Sequence, residues 1–379
     1  PFMLGSATAG ELADKIDKAR LMRIVKVLEI VIMLVAAVGW YMHLLWVLVL
    51  AVVGMGLHST LFGPVKHSYL PQHLGERELV GGNGMVQMGT FVGILTGQLI
   101  GAGLVSWGAI GVHMIIWSTV LVAIFGLLFT LAVPATPAPV PDLVVSRNPF
   151  PEVVRNLRFA ARQSDVFAAM LANSWFWFFG AIVLAQFPVY ARDVLHGEPE
   201  IFAVLLTAFS LGIGAGSLLC ERLSGGRLQL GLVPLGSLGL TVFGIDLYFA
   251  SLGPMPSLLI AKYLLFGEQL RILFDCLMLG MAGGLFVVPL FTLIQTRAER
   301  THLSRIIGGM NILNALFMVV AALLAMVLLQ AGLSVPEIFA TTAMLNLAVL
   351  MALCLKQPEY PRAGWAWLTG LFRRPPLVE

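Results

Sequence analysis

The clearest pattern in the sequence is a series of long stretches that contain no Asp, Glu, Lys or Arg. Residues 30–65 form the first, and its 36 positions are too many for one membrane crossing of about 20 residues. We predict two crossings here, with a break near Gly39–His43, where aromatic residues are typical of a membrane interface. Residues 79–141 predict two more crossings, separated by a turn near Trp107–Gly108.

Six single stretches follow, each long enough for one further crossing. They cover residues 166–191, 201–220, 228–245, 276–296, 306–330 and 337–355. The sequence thus predicts ten complete crossings, and its first nine residues have the character of the end of an eleventh.

The overall composition excludes a soluble globular domain. Hydrophobic residues make up 59% of the 379 positions and charged residues only 11%, against roughly 25% charged in soluble proteins. In a bilayer the backbone must satisfy its own hydrogen bonds, either in helices or in a closed barrel. Barrel strands alternate apolar and polar positions, whereas these stretches are continuously apolar. The predicted fold class is therefore all-α integral membrane.

The sequence contains no pattern typical of catalysis. Cys220, Cys276 and Cys354 lie in apolar runs, and we expect them to pack as small hydrophobic residues. No metal-ligand spacing, nucleotide loop, nucleophile triad or acyltransferase His-Asp box is recognisable. We expect no cofactor, no nucleic-acid partner and no enzymatic activity in this membrane part.

The distribution of Lys and Arg predicts the orientation in the membrane. If the Asp14–Arg23 loop is cytoplasmic, alternating connections place twenty of the 23 Lys and Arg residues on the cytoplasmic side. Only Arg192, Lys262 and Arg271 fall outside. This bias predicts a multi-pass membrane protein whose central loop and C-terminus face the cytoplasm.

A proline-rich connection divides the chain. Residues 134–165 contain four prolines and then a basic stretch in which Arg155, Arg158 and Arg162 share one helical face. This pattern predicts a helix that lies on the cytoplasmic surface near anionic headgroups.

The predicted domains follow from this connection. They are an incomplete N-terminal bundle (1–133), the central loop with its amphipathic helix (134–165), a C-terminal six-helix bundle (166–355) and a tail or linker (356–379). Six crossings follow the loop and four precede it, so a symmetric arrangement implies that the first helix and part of the second are missing from this chain. We expect a monomer.

Short motifs repeat between the two halves. Equivalent turns contain Gly10, Asp14, Lys15 and Arg20 in the first half, and Gly216, Glu221 and Arg222 in the second. Further along, Gly82–Gln87 corresponds loosely to Gly309–Asn314. The two offsets differ by about 20 residues, which predicts an insertion in the external segment Gly253–Asp275. Parallel repeats of six helices characterise one large transporter class.

The stretch from Gly10 to Arg20 resembles the signature between helices 2 and 3 of the major facilitator superfamily. The resemblance implies a 6+6 transmembrane helix bundle. It also implies a conformational latch, in which Asp14 and Glu221 pair with a base or a helix N-terminus when the halves close.

Within this superfamily, several stretches are similar to bacterial lysophospholipid transporters, including the type fused to a phospholipid acyltransferase. These stretches are Phe62–His67, Asn83–Gln87, Gly283–Leu290 with Gln295, and Asn311–Ala315. The resemblance implies movement of lysophospholipids across the inner membrane of Gram-negative bacteria, with a fused or associated acyltransferase as a partner. The chain departs from such transporters in helix 7, where they carry a base and Trp175–Tyr190 has no charge.

Candidate substrate-binding residues are polar side chains within the predicted crossings. Lys66 follows a Gly-Pro pair at a cytoplasmic end, with His67 beside it, and a base there attracts a phosphate diester or anchors the helix. Two amide pairs lie at related places in the halves: Asn83 with Gln87, and Asn311 with Asn314. Amides on one face of a crossing helix either bind substrate or join helices.

Two acids are candidates for proton coupling. Glu29 follows Lys26 by three positions, so it either binds a proton or an ammonium headgroup, or only pairs with Lys26. Asp246 lies near the outer end of its crossing and is expected at the interface. His58 is expected to be a packing residue.

A glycine repeat marks one crossing. Gly89, Gly93, Gly97 and Gly101 share one helical face, which predicts close approach and sliding of a neighbouring helix. Drug–proton antiporters of the superfamily typically carry Gly-Pro and paired glycines here, and this chain lacks both features.

Three functions remain open. The first is a lysophospholipid flippase that works by alternating access, with the headgroup near Lys66 and the amide pairs. The second is a proton-coupled antiporter of drugs or metabolites that uses Glu29 or Asp246. The third is a non-transporting membrane module that anchors a fused acyltransferase.

Overall fold

The structure of the protein, a computed structural model, describes residues 1–146, 148–197, 199–253 and 267–372. Every regular element in these ranges is a helix. The α-helices are α1 (Phe2–Lys15), α2 (Lys18–Tyr41), α3 (Leu45–His73), α4 (Leu79–Val105), α5 (Gly108–Leu131), α6 (Pro149–Ala161), α7 (Ser164–Val189), α8 (Pro199–Ser224), α9 (Leu232–Ala250), α10 (Gly267–Arg297), α11 (Leu303–Gln330), α12 (Val335–Lys356) and α13 (Glu359–Phe372). A π-helical turn at Tyr190–Val194 extends α7, and a 3₁₀ turn at Arg300–His302 precedes α11.

Among the described residues, nine helices are long and apolar enough to cross a membrane. They are α3 to α5 and α7 to α12, and they lie where nine of the ten crossings are predicted. The tenth position is occupied by α2, a helix of 24 residues. The predicted breaks near Gly39–His43 and Trp107–Gly108 are confirmed, because α2 ends at Tyr41 and α5 begins at Gly108.

The predicted external segment Gly253–Asp275 is wrong at its C-terminal end. α10 begins at Gly267, so Asp275 lies inside a crossing helix with its side chain buried. The helix starts this early because Arg271, on its second turn, pairs with Asp246 of α9 and is thereby accommodated.

Four of the Lys and Arg residues used to predict the membrane orientation lie outside the described residues: Arg147, Lys262, Arg373 and Arg374.

The central connection contains a helix, α6, at the position where the surface helix is predicted. α6 has Asn148 as its N-cap, whose Oδ1 accepts a hydrogen bond from the Phe150 amide at 3.1 Å. The two basic residues Arg155 and Arg158 are exposed on this helix, and Arg162 follows at its C-cap.

The connection before α6 is tied to the turn between α1 and α2. Asp17 Oδ2 accepts a hydrogen bond from the Thr136 amide at 2.7 Å. Glu11 Oε2 accepts another from the Ser146 amide at 2.9 Å. Buried or partly buried carboxylates that accept backbone bonds hold irregular segments in one conformation, so the proline-rich connection has a defined course over α1.

The helices group into two compact units. Unit 1 comprises Pro1–Leu74, Thr96–Phe167 and Gln295–Leu316. Unit 2 comprises Gly75–Leu95 and the described residues of 168–294 and of 317–379. Each unit therefore includes a segment from the opposite half of the sequence: the start of α11 belongs to unit 1, and the start of α4 belongs to unit 2. Both segments carry candidate site residues.

The charge-free stretch of α7 from Trp175 onward supplies aromatic side chains to the core of unit 2. Trp175 and Phe178 stack at 4.6 Å between ring centroids and pack with Ile182 against Ala321 and Ile338. Large aromatic rings bury much apolar surface, so this stretch of α7 serves as core.

A buried polar network joins α7, α9 and α12 in unit 2. Trp175 Nε1 donates to Asn346 Oδ1 at 2.8 Å. Asn346 Nδ2 donates in turn to the Ser237 carbonyl at 2.8 Å and to Thr241 Oγ1 at 2.9 Å. The single amide of Asn346 therefore satisfies groups on two neighbouring helices.

Replacing Asn346 by Ala is expected to lower the stability of the folded protein by about 1–2 kcal/mol, because the Trp175 indole N–H is left buried without an acceptor. A thermal-unfolding midpoint in detergent measures this loss. Thr341→Ala is the matched control on the same helix, since the Thr341 hydroxyl donates to the Glu337 carbonyl of its own turn. Equal midpoints for the two variants would contradict the prediction.

The predicted role of the glycine repeat on α4 is wrong in this structure. A Cβ atom added at Gly89, Gly93, Gly97 or Gly101 would meet no heavy atom of the described residues within 4 Å. The repeat does place four glycines on one face, but no other helix of the described residues comes within 4 Å of an added Cβ at these positions.

The C-terminal helix α13 packs within unit 2. Trp367 Nε1 donates to the Leu223 carbonyl at 3.0 Å, and Tyr360 is buried. Trp365 is 72% exposed, so α13 presents an aromatic face outward.

Candidate functional site

The predicted latch acid of the first half contacts the start of α11 in unit 1. Asp14 is fully buried at the end of α1. Its Oδ1 accepts a hydrogen bond from the Ser304 amide at 3.3 Å, and its Oδ2 accepts one from Arg305 Nε at 3.0 Å. A carboxylate at a helix N-terminus is stabilised by free N–H groups and by the helix dipole, and here a guanidinium adds a direct ion pair.

Glycines allow α1 and α11 to approach this closely. A Cβ atom added at Gly10 would lie 2.7 Å from the Ser304 carbonyl oxygen and 2.8 Å from Arg305 Cα. A Cβ atom at Gly308 would similarly collide with the Ser6 carbonyl oxygen. Both obstacles are backbone atoms, so neither can move aside alone.

The acid of the second half has a related environment in unit 2. Glu221, near the end of α8, lies against the first turn of α4, where a Cβ atom added at Gly81 would be 2.5 Å from Glu221 Oε1. One turn further, a Cβ atom at Gly84 would lie 2.7 Å from the Ser217 carbonyl oxygen. In each unit, therefore, an acid at one helix end lies at the glycine-lined start of a helix from the other half of the sequence.

The base that pairs with Asp14 lies outside the predicted latch residues. Lys15, Arg20 and Arg222 form no salt bridge among the described residues. Asp14 instead pairs with Arg305, 291 positions away. Arg305 and Ser304 are site residues that sequence reasoning missed, because nothing in the local pattern indicates a partner so distant along the chain.

Lys66, His67, Asn311 and Asn314 all belong to unit 1. Asn311 lies directly against α3, since a Cβ atom added at Gly63 would be 2.8 Å from Asn311 Nδ2. Lys66 follows Gly63 by three positions and so lies on the same face of α3, partly buried. The His67 carbonyl accepts a hydrogen bond from Gln295 Nε2 at 2.8 Å, and Asn314 is buried one turn after Asn311.

The other amide pair, Asn83 and Gln87, belongs to unit 2. Asn83 Nδ2 donates to Thr292 Oγ1 of α10 at 3.1 Å, and both side chains are buried. Gln87 is buried one turn further along α4. The Asn83 amide thus joins two helices, which is one of the two roles expected for such amides.

Glu29 lies in a charged cluster between α2 and α3. Its Oε2 is 2.7 Å from Lys26 Nζ and 3.2 Å from His58 Nε2. Lys26 also lies over the Phe62 ring, with its Nζ 5.1 Å from the ring centroid. The contact with Lys26, which belongs to one of the two alternatives for Glu29, is therefore present, and His58 is a contact that the sequence did not indicate.

Asp246 forms an exposed bidentate pair with Arg271, whose Nε lies 3.1 Å from Asp246 Oδ2. Both residues are near the predicted external ends of α9 and α10. The expected interfacial position of Asp246 agrees with this pair.

Nine helices of the described residues are long and apolar enough to cross a membrane, and helical bundles of this kind are typical of secondary transporters. The chain matches the family model described as Major Facilitator Superfamily over residues 1–321. Because the match covers most of its length, the chain belongs to the Major Facilitator Superfamily.

The curated relatives include lysophospholipid transporters. The Lysophospholipid transporter LplT of Enterobacter sp. (strain 638) is 24% identical over 309 residues, which cover 79% of this chain and 70% of the relative. The Lysophospholipid transporter LplT of Yersinia enterocolitica serotype O:8 / biotype 1B is 25% identical over 301 residues, which cover 77% and 66%.

Solved structures share the fold. The human organic anion transporter MFSD10 (TETRAN) superposes with a TM-score of 0.77 at 16% identity, covering 93% of this chain and 80% of that one. The transporter FucP in its outward conformation gives a TM-score of 0.69 at 11% identity, covering 94% and 87%. At these identities the likeness supports the fold and no particular substrate.

Proposed function

We propose that the protein transports lysophospholipids across the bacterial inner membrane by alternating access. The observation that carries this proposal is the position of Lys66 on the face of α3 that packs against Asn311 of α11. The names of the curated relatives support the same substrate class.

The chemistry of these two side chains suits a lysophospholipid headgroup. A phosphate diester carries one negative charge, which an ammonium group attracts strongly where water is scarce. An amide N–H adds a directional hydrogen bond to a second phosphate oxygen. The single acyl chain needs only apolar surface, which crossing helices provide throughout.

The acid-to-helix contacts support alternating access. Asp14 at the start of α11 and Glu221 at the start of α4 each join a helix end of one sequence half to a helix start of the other. We propose that both contacts form when the predicted cytoplasmic side closes and separate when it opens.

Transfer of fluorescent lysophosphatidylethanolamine in vesicles that contain the full-length protein tests the substrate. We expect Lys66→Ala and Asn311→Ala to reduce the rate about 10-fold each, since a charge-assisted hydrogen bond contributes roughly 1.4 kcal/mol or more. Lys356→Ala is the matched control, because Lys356 is an exposed base at the end of a crossing helix.

Folding is checked by the thermal-unfolding midpoint of each variant. The proposal is supported if Lys66→Ala and Asn311→Ala both reduce the rate of lipid transfer and Lys356→Ala leaves that rate unchanged. Folded protein that transfers no more lipid than empty vesicles would rule out this substrate.

A second candidate function is proton-coupled export of small amphiphiles, which the cluster of Lys26, Glu29 and His58 favours. A carboxylate between an ammonium group and an imidazole can exchange a proton with its neighbours. Export driven by an imposed pH gradient, and abolished in Glu29→Gln but not in Asp246→Asn, would support this function over the first.

A further inference from the structure

A basic cavity lies between α6 and the segment that leads into α11, entirely within unit 1. Its volume is about 710 Å³. Six polar side chains line it: Arg155, Asn156, Arg158, Arg162, His302 and Arg305. We call it the α6 cavity.

The charge in the α6 cavity is only partly compensated. Arg155 pairs with Glu152 and lies 3.7 Å from Glu11, and Arg305 is held by Asp14. Arg158 and Arg162 form no salt bridge among the described residues. Two guanidinium groups therefore remain to attract an anion, and their fork geometry suits phosphate oxygens.

A buried amide adds a specific donor to this charge. Asn156 is only 4% exposed, and its Nδ2 has no hydrogen-bond partner among the described residues. A buried donor without a partner is unfavourable, so the Asn156 amide is available to an acceptor that enters the cavity. Exposed arginines alone would not distinguish a built site from a solvated surface.

The surroundings of the α6 cavity favour a lipid over a soluble anion. Phe150 and Val154 on the same helix are 64% and 46% exposed, and Val154 lines the cavity. Exposed apolar side chains beside arginines are typical of a helix whose apolar face enters the headgroup region. A phosphate in this cavity would then belong to a lipid in the same leaflet.

We propose that the α6 cavity binds the phosphate of an anionic phospholipid at the membrane surface. The site is separate from Lys66 and Asn311, so the proposal does not depend on the identity of the transported substrate. Arg305 lines the cavity and also donates to Asp14, so the bound lipid would adjoin the Asp14 contact.

Binding of dioctanoyl phosphatidylglycerol to the full-length protein in nonionic detergent tests the proposal. We expect Arg158→Gln/Arg162→Gln to weaken binding about 10- to 30-fold, given roughly 1 kcal/mol for each basic residue near an anionic headgroup. Asn156→Ala is expected to weaken it about 5-fold through the lost hydrogen bond. The charge-matched control is Lys356→Gln/Arg362→Gln, which removes two exposed bases elsewhere.

Parallel titrations with dioctanoyl phosphatidylcholine and with inorganic phosphate identify the source of the phosphate. Selective binding of phosphatidylglycerol that only the cavity variants weaken supports the proposal. If the Arg158→Gln/Arg162→Gln variant and the control variant bind phosphatidylglycerol with equal affinity, the lipid does not bind in the α6 cavity. Phosphatidylcholine or inorganic phosphate binding as tightly as phosphatidylglycerol would overturn the anionic-lipid assignment.

Discussion

Asp14→Asn is expected to release the contact between α1 and the start of α11 and to reduce transport by at least about 10-fold. The substitution removes the negative charge that holds Arg305, a guanidinium that is only 8% exposed. Breaking a buried pair by neutralising one partner costs roughly 3–5 kcal/mol, because the remaining charge stays buried without compensation. The equilibrium between the state in which α1 contacts the start of α11 and the state in which the two helices are apart would therefore shift more than 100-fold toward separation.

A cysteine at position 68 reports this release directly. Ser68 Oγ lies 2.9 Å from Ser304 Oγ and is buried where α3 meets α11. In a background with the three native cysteines replaced by Ser, we expect Ser68→Cys to react with a maleimide at least about 10-fold faster once Asp14 is Asn. Faster labelling at a temperature well below the unfolding midpoint of the variant distinguishes opening from unfolding.

Two further variants sharpen the interpretation. Asp193→Asn removes an exposed carboxylate whose partner is the neighbouring Arg192, and we expect no change in labelling. Arg305→Gln added to Asp14→Asn removes the uncompensated charge, so the double variant should label more slowly than Asp14→Asn alone. If Ser68→Cys reacts at the same rate with and without Asp14→Asn, there is no latch at this position.

The helices were predictable because a bilayer imposes one strong rule on the sequence. Charged residues are expelled from the crossings, so the charge-free stretches locate nine helices, and aromatic residues or glycine locate the breaks at Tyr41 and Gly108. The rule fails at Arg271, because a charged residue with a partner on the next helix is accommodated within α10. A single sequence does not reveal that partner.

Contacts within one helix were predictable, and contacts between helices were not. Lys26 and Glu29 are three positions apart, and helix geometry alone brings their side chains together. His58 completes the same cluster from a neighbouring helix, and Arg305 reaches Asp14 from the other half of the sequence. The spacing of residues in the sequence shows which side chains share one face of a helix. It does not show which other helix packs against that face.

The glycines show this limit most clearly. Gly89 belongs to a regular repeat that predicts close packing, yet a Cβ atom there would meet no heavy atom of the described part of the chain within 4 Å. Gly10 belongs to no such repeat, yet it lies against the backbone of α11. The same residue type has opposite significance at the two positions because the neighbouring helix differs.

Alanine substitutions at these two glycines are therefore expected to have opposite effects. At Gly10 the added methyl group overlaps the Ser304 carbonyl oxygen and Arg305 Cα, and overpacking against backbone costs about 1–3 kcal/mol. At Gly89 the methyl group enters open space, and Ala favours the helix over Gly by roughly 0.5–1 kcal/mol. Gly10→Ala should lower the unfolding midpoint and speed labelling of Ser68→Cys, whereas Gly89→Ala should raise the midpoint slightly and leave labelling unchanged.

The comparison separates helix propensity from helix contact, because both variants make the same chemical change in an α-helix. If both substitutions raise the midpoint, the close approach of α1 to α11 contributes nothing to the folded state. If both lower it, the open face of α4 is covered by a partner under the conditions of measurement. Only opposite signs, together with faster labelling in Gly10→Ala alone, support a joint between α1 and α11 that depends on the absence of a side chain at Gly10.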